Sequence, residues 1–265
     1  MIFTIPELRN KKMRILAVAQ NTFRESVRDK VLYVLLLFAG VVIIGSKAVG
    51  WISIGQDIKI IKDLSLAGMS VFGALIAIFV GTNLVYKEID KRTIYTIIAQ
   101  PLHRYEFVIG KYLGLSLLIF GVVVLMSIIS AIYIVVLGGD INHWYFIASF
   151  LIFMKLLLVT ALAVLFSTLS SPILGAIIVF CFYVFGHSTG VLIDLPQNFE
   201  GTWSKPLLQA LYYILPNFSN FDIRSEVVNG VSVSYVYVIY IIIYAILYSM
   251  FFIYFAVLMF QRKDV

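Results

Sequence analysis

Lys155 is the residue whose position most demands a chemical explanation. It sits near the middle of an apolar run from 144 to 169, where an unpaired ammonium costs at least about 2.5–3.5 kcal/mol at the centre of a bilayer. Such a group is expected to face a protein interior or a polar path across the membrane, with carbonyls or hydroxyls as partners. A structural pair between helices is the competing reading. The other groups able to do chemistry do not converge along the chain. His103, His143 and His187 are scattered, Cys181 is the single cysteine, and the seven methionines are dispersed. No metal site is expected from this pattern, because soft metals ask for Cys or Met in pairs. No H-E-x-x-H, C-x-x-C or G-x-S-x-G occurs, so there is no catalytic residue to name. The phosphate-cradling pattern G-x-x-x-x-G-K-[ST] is missing too, and no cofactor is expected in this chain.

The elements that must position Lys155 follow from composition. With 62% hydrophobic and 13% charged residues and a mean hydropathy of +1.00, a water-soluble fold is excluded. Six apolar segments, about 31–50, 64–85, 112–137, 144–169, 172–193 and 234–260, are each expected to be a transmembrane helix, since backbone groups in lipid must be paired internally. They make one membrane domain over 1–265.

Charge placement orients it. Seven Lys and Arg residues precede the first span, five lie between the second and third, and two follow the sixth, whereas the other side has Lys59, Lys62, Lys205 and Arg224. By the positive-inside rule both termini and the 86–111 loop are cytoplasmic. The net charge of +6 therefore reports topology in a lipid bilayer, and no nucleic-acid partner is expected. Lys47, near the outer end of the first span, can snorkel to the headgroups.

Three connecting pieces have structure of their own. The cytoplasmic arm 1–30 places Leu16, Ala19, Phe23 and Val27 at helical spacing, with Arg14, Asn21, Arg24 and Arg28 on another face; this predicts an amphipathic helix in the headgroup region. The external segment 194–233 contains an apolar run, 207–215, ended by Pro216. That run is expected to be a short helix on the membrane surface or dipping back into it. In the 86–111 loop, Ile94, Tyr95, Ile97 and Ile98 give an apolar helical face ended before Pro101. At the entry to the third span, Gly110 and Gly114 form a G-x-x-x-G, a helix-packing motif suited to contact within the subunit or with a second copy.

The order of residues in this loop resembles that of ABC-2 type permeases. Glu88 follows the second span, Thr93 comes five residues later, and Pro101, Arg104, Phe107, Gly110 and Lys111 lead into the third. Arg92 stands where the family often has Gly. The close Phe260-Gln-Arg-Lys-Asp264 resembles the usual end of these subunits, and Leu215-Pro216-Asn217-Phe218 resembles the subgroup that includes multi-copper enzyme maturation permeases. The resemblance implies a permease subunit of an exporter in the cell (inner) membrane. In it residues 86–111 form the coupling helix, with Glu88, Lys91, Arg92, Thr93, Tyr95, Ile98, Pro101, Arg104, Phe107 and Lys111 meeting the ATPase.

It further implies two copies of a separate nucleotide-binding subunit, which bind ATP and Mg, and a second permease as homodimer or heterodimer. An extracytoplasmic accessory protein is left open. Two alternatives remain at this stage: a non-transporting subunit that passes ATPase motion to such a partner, and an ion-coupled secondary transporter. The latter would want acidic groups at mid-membrane, and no Asp or Glu lies well inside the six segments.

Overall fold

The computed structural model describes residues 5–50, 56–90, 103–188 and 216–262, and among these the chain is all-helical. In chain order the helices are α1 (Ile5–Val27), α2 (Lys30–Gly50), α3 (Asp57–Asp90), α4 (Arg104–Val136), α5 (His143–Leu169), α6 (Pro172–His187), α7 (Arg224–Asn229) and α8 (Tyr235–Arg262), with a 3-10 turn at Ser219–Phe221. Five of them, α2, α3 over 57–83, α4, α5 and α8, are long and apolar enough to cross a membrane. The fifth apolar segment appears as α6, whose sixteen residues give about 24 Å of helix, less than a bilayer core.

Hydrophobicity all round a helix predicts burial on most sides, and α5 follows it except along the face of Phe146, Phe150, Phe153 and Leu157. It lies at the centre, packed against α3, α4, α6 and α8. Two-thirds (67%) of the apolar stretch is buried in both α3 and α5, against 22% in α2 and 28% in α8. The outer helices expose Leu37, Phe38, Val41, Ile44, Ile239, Tyr240 and Leu247, a surface that hydrocarbon accepts and water would not.

Small residues set the tight crossing of α3 on α5. A Cβ on Gly73 would sit 2.5 Å from Leu156, and one on Gly81 2.8 Å from Ala163. Two helices run beyond their apolar runs. In α4 the carboxylate of Glu106 accepts the backbone N–H of His103 at 3.1 Å, a reciprocal cap that starts the helix eight residues before the 112–137 segment. At its far end Gly138, with φ of 79°, accepts the left-handed geometry that ends a helix.

The N-terminal helix differs in detail from the stripe expected of it. Its protein-facing side is Ile15, Val18, Ala19, Thr22, Phe23, Ser26 and Val27, so of the expected stripe only Leu16, 70% exposed, turns away. The Thr22 hydroxyl donates to the Val18 carbonyl at 2.8 Å and Ser26 to that of Thr22 at 2.7 Å. Hydroxyls satisfied inside their own helix can be buried like alanines. α1 thus has two sides, one against α4 and an exposed one on which Met13 and Leu16 lie beside Arg24 and Arg28.

Candidate functional site

At the end of the bundle where α4 begins and α8 finishes, the residues proposed for coupling fall into two groups. Glu88 lies within α3 with its side chain undescribed; Lys91, Arg92, Thr93, Tyr95, Ile98 and Pro101, like the 207–215 run, lie outside the described residues. Arg104, Phe107 and Lys111 are all placed. Arg104 donates from one guanidinium nitrogen to the carbonyls of Phe260 at 3.2 Å and Gln261 at 3.0 Å. A cation there complements the negative end of α8. Phe107 stacks on Phe260 with centroids 5.7 Å apart.

Lys111 is buried, 1% exposed, with its ammonium 3.6 Å from the carboxylate of Glu25 in α1 and 5.6 Å from the Phe107 ring. The G-x-x-x-G sits under the same helix. A Cβ on Gly110 would meet Val18 at 2.7 Å, and one on Gly114 the Ala19 carbonyl at 2.5 Å. Both glycines therefore receive α1 of their own chain. Glu25 carried no sequence signal, because only the fold brings it opposite Lys111.

The second constellation surrounds Lys155, which is 1% exposed. It lies about 21 Å along α5 from Leu169, and His187 about 22 Å along α6 from Pro172, so two helices joined by a short turn bring them to one level. The ammonium donates to the Ser70 hydroxyl of α3 and lies 3.3 Å from His187 Nε2. His187 Nδ1 is 3.0 Å from the Tyr183 carbonyl. A carbonyl can only accept, so the proton belongs on Nδ1 and the Nε2 lone pair faces Lys155. The Tyr183 hydroxyl completes the ring, 3.2 Å from Ser70 Oγ.

Above this cluster the chain returns as irregular backbone. Asn217 N–H donates to the Tyr244 hydroxyl at 2.9 Å, and Tyr244 lies about 13 Å down α8 from Tyr235. Phe218 N–H donates to the Gly186 carbonyl at 2.9 Å, and Ser219 Oγ to that of His187 at 3.3 Å. Phe218 is fully buried and stacks on His187 at 5.7 Å. A Cβ on Gly186 would collide with the Phe218 ring and stand 2.6 Å from the Pro216 carbonyl, so only glycine admits this seat. Non-helical backbone at membrane depth is stable only when buried in protein or lining a cavity.

The segment ends in an ion pair, Arg224 holding Asp222 through two hydrogen bonds of 2.7 and 2.6 Å. Burial pushes the Asp222 carboxyl up, but the hydrogen bonds and charge of Arg224, with the charge of Lys155 behind them, hold it below its ordinary value. The Asp222 hydrogen bond raises Arg224 in turn, against the cost of burial. In sequence, Lys155 announced the site; Ser70, Tyr183, Asp222 and Arg224 did not, and His187 read as one of three scattered histidines.

Among the described residues no group of three or more His, Cys, Asp and Glu side chains is placed to hold a metal ion. What the cluster can do is hold a charge in the bundle through a neutral imidazole and a hydroxyl, beneath the segment 216–223. No curated protein matches the chain. A family model described as ABC-2 family transporter protein matches residues 16–265.

Proposed function

This chain belongs to the ABC-2 transporter family, and from that premise we propose that it is a permease subunit moving a substrate across the membrane when a separate ATPase pulls on residues 88–111. As a member it is a multi-pass membrane component of an ABC transporter and not itself the catalyst. In the proposed reading the chain crosses the cell (inner) membrane six times, with both ends in the cytoplasm. It pairs with a second permease and works with two ATPase copies that carry the ATP and Mg. The direction is export, and a lipid, a hydrophobic compound or a maturation factor suits so apolar a bundle better than a bare metal ion. Lys155 lines the path.

One observation carries the coupling. The segment's far end is tied to three helices, because Arg104 holds the last carbonyls of α8 and Lys111 meets α1 through Glu25, both from α4. A pull on the loop therefore reaches α1, α4 and α8 together. Purification from the native membrane should recover an ATPase, and its persistent absence would overturn the reading. In vesicles supplied with ATP, hydrolysis with flux is the expected result. Hydrolysis without flux would favour a non-transporting subunit acting on an external partner, and flux following an ion gradient a secondary transporter.

A further inference from the structure

We propose that His187 is a proton-operated latch: protonated from the side of the 194–233 segment, it breaks with Lys155 and releases the Pro216–Ile223 cover from the mouth of the path. This rests on the reading above in two respects, that this side is external and that Lys155 lines the path. The geometry supplies the latch. As described, the imidazole is neutral, with Nδ1–H directed at the Tyr183 carbonyl and the Nε2 lone pair at a donor-only ammonium 3.3 Å away. A second ring proton must go on Nε2, where it turns an acceptor into a donor and sets two cations face to face inside a bundle.

The groups facing His187 leave little to absorb the added charge. Lys155 comes from α5, Tyr183 from the same helix, and Asp222 with Arg224 from the cover. Asp222 is engaged by both Arg224 hydrogen bonds, and Asp63 of α3 acts on Arg224. The charges therefore balance only while His187 is neutral: Lys155 and Arg224 against Asp222 and Asp63. Displacement of the imidazole carries the cover with it. Phe218 rests on the ring, and the Gly186 and His187 carbonyls hold Phe218 N–H and Ser219 Oγ. His187 is only partly buried, whereas Lys155 is 1% exposed.

The test uses the full chain in lipid nanodiscs, in a Cys181→Ser background, with a nitroxide on Ser225→Cys, an exposed position just past the cover. Between about pH 7.5 and about pH 3.5, a span carried below the ordinary histidine range because the facing Lys155 ammonium opposes a second ring proton, the spectrum should shift from its broad immobilised component to a narrow mobile one. In His187→Gln, which can still accept from Lys155 but takes up no proton, the shift should vanish; in Asp222→Asn it should persist. If His187→Gln does not yield a monodisperse protein, Lys155→Met serves, since removing the opposing cation should also abolish the shift. No shift in the parent, or a full shift in His187→Gln or Lys155→Met, overturns the latch. Quenching of the same nitroxide by impermeant ascorbate on intact cells reads sidedness separately. A latch that responds while the label is shielded from outside would keep the proposal and sink the orientation.

Discussion

At Lys155 a charge is held inside the bundle by a hydroxyl and a neutral imidazole, with carboxylate one step further away. The expected result of Lys155→Met is a subunit that still assembles, because the methionine fills a similar volume, with transport lost if the ammonium lines the path; normal transport would remove that role. The Lys111 and Glu25 pair predicts an asymmetry. Lys111→Met leaves a half-exposed carboxylate that water can solvate, whereas Glu25→Gln withdraws the acid facing a buried ammonium. Thermal unfolding in detergent should show Glu25→Gln as the more damaging change, by about 1–3 kcal/mol, and equal losses would refute the pairing. Asp222 gives a pH dependence of its own. Its value is lowered from the ordinary 3.8, so the stability it lends is fully present above that ordinary value and fades as pH falls through the lowered one. The stability difference between the parent and Asp222→Asn should therefore be constant from neutral to mildly acid pH and shrink only in strong acid. Variants keep the two effects apart: the latch shift should persist in Asp222→Asn and vanish in His187→Gln. At this scale the sequence was only partly legible: a lysine in an apolar run is conspicuous alone, but its partners at 70, 183 and 187 come from two other helices.

Helices were the most legible level. The apolar runs at 31–50, 144–169 and 234–260 reappear within a residue or two as α2, α5 and α8, because in lipid no other local structure satisfies the backbone. Ends were harder, since α4 starts where Glu106 caps His103 and not where hydrophobicity begins. The face of α1 was harder still. Hydrophobic spacing selects Leu16, Ala19, Phe23 and Val27, of which all but Leu16 pack inward, and the glycines of α4 add Ile15, Val18 and Thr22, because a missing side chain on one helix admits the backbone of the other. Gly114→Val should therefore detach α1, since its added atoms meet the Ala19 backbone, which yields less readily than a side chain. Protease cleavage around Arg24 and Arg28 should accelerate, and unchanged cleavage would mean that α1 is held elsewhere. Gly186→Ala makes the same argument for the cover: it should mobilise a label at Ser225→Cys at neutral pH without acid.

Over the whole molecule, long apolar segments gave the membrane class, and the order of residues from Glu88 to Lys111 gave the resemblance to the family whose model matches residues 16–265. The 216–223 return into the bundle was not legible beyond Pro216 as the stop of the preceding run, for it depends on Phe218 finding Gly186 across an intervening stretch of chain. Because α4, α1 and α8 meet at Arg104, Glu25 and Lys111, Arg104→Ala should leave the ATPase bound while ATP hydrolysis no longer drives flux. Loss of ATPase recovery in that variant would instead make Arg104 a direct docking contact.

The clamp by Arg104 has one more consequence, for biogenesis. Its acceptors, the carbonyls of Phe260 and Gln261, lie 156 and 157 residues further along the chain, so during translation the guanidinium emerges long before the groups it will hold. A ribosome-bound nascent chain stalled ahead of that point leaves the start of α4 unfastened, so α4 and α8 are joined here only once the last helix has been made.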